Sequence, residues 1–209
     1  MRTIITTALA LTLAAGIAFT QDKGGAPGGK GGGKGGGKAK GPGLTLTTTA
    51  FQDGGIIPDK YTAAAGAAAV SPALTWTNVP MTTQSFVMHM HDPDVAIGGN
   101  TTDVIHWIAW DIPATATGLP EGVPGTPTLP DGTVQGMNIG NVPGYRGPGA
   151  PAAGPPHHYT WELYALNAKL NLPASTTRDD ILKAINGKIV GKGVLVGRFI
   201  LPAAPAAGK

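Results

Sequence analysis

Residues 104–110 read VIHWIAW, seven positions of which only His106 is polar. The run is short and its apolar residues do not alternate, so it predicts a strand covered on both sides. Working outward, Ser85–His91 places Phe86, Met88 and Met90 on one face by the two-residue period of a strand. Leu44–Phe51 (LTLTTTAF) alternates apolar residues with threonine, and Leu74–Trp76, His158–Leu166 and Gly193–Leu201 add further short strands. Asn78-Val-Pro80, Asp92-Pro93 and Pro130-Asp131-Gly132 are turn signals between them. One helix is expected near the end of the chain. Thr177 with Asp180 resembles a capping box, Ile181, Leu182 and Ile185 form an apolar stripe, and Gly187 is placed to stop it. Many short strands and a late helix argue for a β-sandwich or a Greek-key sheet.

The chain has 209 residues, 42% of them apolar and 13% charged, a globular balance. Residues 1–20 read as a signal peptide: Arg2, an uncharged stretch from Ile4 to Phe19, and Gly16, Ala18 and Thr20 near a cleavage point. That stretch falls short of the about 20 apolar residues of a membrane span and carries Thr6, Thr7 and Thr12. The expected location is therefore periplasmic or secreted. Residues 21–43 (QDKGGAPGGKGGGKGGGKAKGPG) have nothing to bury that would offset ordering entropy. They read as a flexible linker, or as a Lys-rich patch that touches anionic lipid or cell wall. Residues 44–201 form one domain, and 202–209 a short tail.

The sequence pI of 9.2 belongs to the linker, which holds five lysines. From Gly43 onward nine basic residues face eleven acidic ones, a charge of −2. This balance argues against a nucleic-acid-binding face. With no cysteine there is no disulfide and no thiol chemistry.

Four residues stand out as chemistry carriers. Asp92 ends an apolar strand, on the face of Phe86, Met88 and Met90, where a carboxylate needs a partner; it equally suits a cap of the Asp-Pro-Asp turn. His106 lies mid-strand, sharing a face with Val104, Ile108 and Trp110 by strict period two, and reads either as a satisfied core histidine or as a site residue. His157 and Tyr159 share a face that continues into Trp161 and Leu163, whereas His158 points the other way with Thr160 and Glu162. If these residues converge on the Gly/Pro-rich stretch Gly136–Pro156, two imidazoles and a phenol can donate hydrogen bonds to phosphate-like oxygens, with Asp92 orienting one ring. An irregular stretch of that length is usually functional or disordered.

Several motifs follow in the order, and near the spacing, of the phosphatidylethanolamine-binding family. They are DPD (Asp92–Asp94), HW (His106–Trp107), GTVQGMN…GYRGP (Gly132–Pro148) and PHHYTWELYAL (Pro156–Leu166). SPALTWTNVP (Ser71–Pro80) and TTRDDILKAINGKIVGKGVLVGRF (Thr176–Phe199) resemble its bacterial, Raf-kinase-inhibitor-like branch. The resemblance spans nearly all of residues 44–201. It implies a mainly β, antiparallel Greek-key fold with one or two short helices near the C-terminus. It also implies a small pocket for a phosphate-like anion or a phospholipid head group. By motif position Asp92, His106, His157 and Tyr159 match the pocket residues, with Gly147 and Pro151 in the rim loop. The chain departs from the family pattern at Val95-Ala96-Ile97, where a small residue and proline usually follow DPD, and at Ala150-Pro151, where Pro-Pro is usual.

The reading that results is a ligand-binding module, able to modulate a protein partner, and not an enzyme. Only Ser71, Ser85 and Ser175 are available as serine nucleophiles and none lies in Gly-x-Ser-x-Gly. No Gly-rich loop ends in Lys followed by Ser or Thr. No metal or other cofactor is expected at the pocket. The alternative is an exported metal-dependent enzyme using His89 and His91, two residues apart and so on one face, opposite Asp92. Solvated or loosely packed histidines are the plainer reading of that pair.

Overall fold

The structure, a computed structural model, describes residues 43–203. The expected signal peptide, the linker before Gly43 and residues 204–209 of the tail lie outside the described residues. The strands are β1 (Thr45–Thr47), β2 (Gly55–Ile56), β3 (Leu74–Thr77), β4 (Ser85–Asp92), β5 (Val104–Pro113), β6 (Gly118–Leu119), β7 (Val134–Gln135), β8 (His157–Leu166) and β9 (Ile189–Phe199). A six-stranded sheet has the order β2-β9-β8-β4-β5-β7, and a three-stranded sheet the order β1-β3-β6. All pairings are antiparallel except the two-residue parallel contact of β2 with β9.

The expected mainly β fold is present, and the reason is visible in β4, whose residues are all buried except the half-buried His91. Such a strand must be central and covered on both faces. One layer packs Phe86, Met88, Met90, Trp107, Trp161 and Leu163 against Leu46, Leu74 and Trp76 of the small sheet. The opposite layer packs Val87, Ile108, Trp110 and Leu166 against Ile181 of the helix α1 (Arg178–Ala184) and against Ile185, which caps its end. Thr177 caps α1 by accepting from Asp180 N at 3.2 Å, and Gly187 leaves it with φ +75°.

Strand β1 stops at Thr47, short of the expected Phe51. Thr48 Oγ1 donates to Ala73 O (2.6 Å) and accepts from Ala50 N (3.1 Å), so a local turn replaces the ladder.

Strand β5 carries two bulges against β4. Met90 faces Trp107 and His91 faces Ile105, so His106 is the extra residue. Ile105 stays in the helix-side layer with Ile108 and Trp110, while His106 turns to the other side, with its ring centroid 5.1 Å from that of Tyr159. The expectation that His106 shares a face with Ile108 and Trp110 fails because the bulge resets the period. The second bulge includes Asp111 at φ +54°, whose carboxylate accepts from Leu170 N (2.6 Å) and Asn171 N (2.8 Å). Trp110 Nε1 donates to Leu172 O (3.0 Å) and helps dock the segment that leads into α1.

Gly136–Pro156 is irregular, as expected, yet tied down. Arg146 N donates to His106 O (2.9 Å), Ala63 N to Pro148 O (2.7 Å) and Leu201 N to Ala150 O (2.9 Å). Gly147 sits where a Cβ would come within 2.8 Å of the Thr62 backbone, so only glycine admits this approach. No helix among the described residues is long and apolar enough to cross a membrane.

Candidate functional site

The end of β4, the first bulge of β5, the start of β8 and the 146–151 loop meet around one cavity of about 260 Å3. Asp92, His106, Gly147, Pro151, His157 and Tyr159 all line it, so the structure brings together the six residues that the sequence assigned to an anion pocket. Asp92 is 3% exposed and uses its two oxygens differently. Oδ1 accepts from Asp94 N (3.0 Å), the turn-cap role, and Oδ2 accepts from His157 Nδ1 (2.8 Å), the ring-orienting role. Both readings of this residue hold at once. His157 is left with Nε2 as its remaining ring nitrogen.

His106 is 5% exposed, and its Nδ1–H donates to the Arg146 carbonyl at 2.9 Å, because a carbonyl can only accept. Burial pushes its pKa down, against the opposing pull of that carbonyl and the Asp92 charge. The ring is therefore neutral at pH 7 and offers Nε2 as an acceptor. Tyr159 OH accepts from Gly149 N at 3.1 Å. Burial, helped by the negative charge of Asp92, pushes its phenol up to about 12, so it keeps its proton.

Two roles escaped the sequence reading. Arg146 lines the cavity, exposed and without an ion pair among the described residues. Its signal was faint, a lone cation in a Gly/Pro-rich stretch that has no period to assign it a direction. Asp94 Oδ2 accepts from both the backbone N (2.5 Å) and Nδ1 (3.0 Å) of His158. The two aspartates of DPD thus hold the two adjacent histidines of β8, on opposite faces.

His89 and His91 lie away from this cavity, on the helix-covered face, as their spacing predicted. The expectation that they are solvated or loosely packed is overturned, since their side chains are 5% and 15% exposed. Their rings stack 4.5 Å apart at 9°. His91 Nδ1 lies 2.5 Å from Asp103 Oδ2, and Asp103 also pairs with Arg178 of α1. The helix covers the face that the sequence left open.

The family profile described as phosphatidylethanolamine-binding protein matches residues 47–200. A UPF0098 protein of Methanothermobacter thermautotrophicus is 38% identical over 156 residues, 75% of this chain and 98% of its own length. One from Aquifex aeolicus is 35% identical over 157 residues, covering 75% and 88%. Among solved structures, Escherichia coli YbcL, described as a member of the mammalian PEBP family, aligns with a TM-score of 0.68 at 27% identity, over 77% of this chain and 100% of that one. A phosphatidylethanolamine-binding protein homologue of Chlamydia trachomatis aligns with a TM-score of 0.64 at 30% identity, over 75% and 97%. The fold is that of a phosphatidylethanolamine-binding domain. The chain belongs to the phosphatidylethanolamine-binding protein family.

Proposed function

We propose that this cavity binds a small phosphate-like anion, free or as a lipid head group, and that the exported protein acts as a binding module and not as an enzyme. The observation that carries the reading is how the one cavity carboxylate is used. Asp92 commits both oxygens to protein donors, Asp94 N and His157 Nδ1. The other polar side chains facing the space are a phenol, two imidazoles and a guanidinium. Three of these donate hydrogen bonds or become cationic donors on taking up a proton, and Arg146 is a fixed charge. Such a set suits oxygens that carry negative charge. A volume of about 260 Å3 admits a phosphate with a short substituent and leaves acyl chains outside.

The test is calorimetric titration of the protein with inorganic phosphate and with phosphoethanolamine, wild type beside His157→Ala and Arg146→Ala. Saturable one-to-one binding is expected, weakened about tenfold or more in each variant, or about 1.4 kcal/mol. Absence of binding in the wild type, or unchanged affinity in both variants, would overturn the assignment.

A further inference from the structure

On the other side of the same sheet, His89 and His91 project from β4 and Glu162 from β8. We propose that these three side chains bind one divalent transition-metal ion of the zinc class, at a site separate from the anion cavity. Register places them together, because Glu162 is the direct cross-strand partner of His89, and His91 is two residues further along β4. One ligand atom from each lies within 4.8 Å of the others. Glu162 Oε2 is 3.4 Å from His89 Nδ1 and 3.9 Å from His91 Nε2. Two ligands about 2.0–2.1 Å from one tetrahedral ion sit about 3.3 Å apart, so small side-chain movements suffice.

The side chains behind the histidines support the same reading. His91 directs Nδ1–H at Asp103, which Arg178 holds in place. This fixes the tautomer and leaves the lone pair on Nε2, the carboxylate–histidine arrangement typical of metal ligands. His91 Nε2 is nevertheless buried without a hydrogen-bond partner, and so is His89 Nε2. Buried polar atoms are normally satisfied, and His91 Nε2, 3.9 Å from Glu162 Oε2, calls for a missing partner that an ion supplies. His89 faces the same carboxylate oxygen with Nδ1, and its Nε2 is not accounted for by the ion. The remaining contact of His89, 3.4 Å to Glu162, is long for a hydrogen bond. A hydroxyl explains neither histidine, since Tyr164 OH already donates to Glu162 Oε2 (2.5 Å).

One group opposes the ion. Lys192 Nζ lies 2.5 Å from Glu162 Oε1 and is 43% exposed, so it competes for the carboxylate but can swing into solvent. Removing it should therefore tighten binding, an effect that a purely structural role of the cluster does not predict.

The experiment is titration of the chelator-treated protein with Zn2+ and with Co2+, the latter read by its visible absorption in a tetrahedral site, with bound metal counted per chain. The variants are Glu162→Gln, His91→Asn, Lys192→Ala and, as a control, His157→Ala, each checked for native circular dichroism. One equivalent of metal is expected. Glu162→Gln and His91→Asn should weaken binding at least tenfold, Lys192→Ala should tighten it severalfold, and His157→Ala should leave it unchanged. No one-to-one binding in the wild type overturns the proposal. So does metal that survives both ligand substitutions, or that is lost only with His157. If the two ligand variants fail to fold, the Lys192→Ala arm decides, and unchanged or weaker binding there counts against the site.

Discussion

His106 shows how one residue's surroundings set the chemistry of the cavity. Its Nδ1–H is committed to the Arg146 carbonyl, and burial lowers its pKa from the ordinary 6.5. An anion beside it favours the imidazolium, so binding takes up a proton and affinity must rise as pH falls. Sulfate is the suitable probe, because its charge is constant between pH 8 and pH 6. Its dissociation constant is expected to fall severalfold over that range, and His106→Gln should flatten most of the trend. Affinity independent of pH in the wild type would mean that His106 does not face the bound anion. The polar site residues were legible in the sequence for a simple reason. Asp92, His106, His157 and Tyr159 interrupt otherwise apolar strands, where an unpartnered polar group is costly. Arg146 interrupts nothing. It sits among glycines and prolines, and only the fold shows which way it points.

At the scale of the element, β5 is the strand on which period-two reasoning failed, and its two bulges explain why. Nothing in VIHWIAW marks an extra residue, since a run that is apolar on both faces looks the same whether or not it slips by one. The helix, in contrast, was readable to its caps, because capping is local chemistry between Thr177 and Asp180. The second bulge has its own structural task. Asp111 is 7% exposed, sits at φ +54° and accepts two backbone N–H groups from the segment before α1. Aspartate tolerates that left-handed conformation better than most residues, and its short carboxylate reaches both donors. Asp111→Ala keeps the strain and leaves both donors without their acceptor. A loss of about 2–3 kcal/mol is expected, measured as a lower guanidinium midpoint with an unchanged slope. A loss below about 0.5 kcal/mol would show that water replaces the carboxylate and that the docking of this segment rests on apolar contacts alone.

Across the whole molecule, titratable side chains on both faces of the large sheet and in the loop beside it couple to folding in one direction on the acid side. Burial lowers the pKa of His89 and of His106 from 6.5. Asp94, Asp103 and Glu162 are raised by burial but lowered more by their hydrogen bonds and cationic neighbours, ending below the ordinary 3.8 and 4.5. In each case the unfolded chain binds protons more readily than the folded one, so acidification favours unfolding. On the alkaline side, burial first raises Tyr145, Tyr159 and Tyr164 above 10.0, with the charge of Asp92 adding to it at Tyr159 and the hydrogen bond to Glu162 at Tyr164. These phenols add stability that is complete below pH 10 and fades as pH rises towards their folded values. Stability should therefore be flat between about pH 7 and pH 9.5. It should decline first below about pH 6.5, where the histidines begin to titrate, and more steeply below about pH 4.5, where the carboxylates join them. The four tryptophans report the transition, since each is at most 2% exposed and shifts to the red only when the core opens. Guanidinium midpoints from their fluorescence at pH 8, 6 and 4 are expected to fall in that order, by little and then by much. A midpoint at pH 6 above that at pH 8 would mean that the folded protein binds more protons than the unfolded chain over this range, against the direction that burial gives His89 and His106.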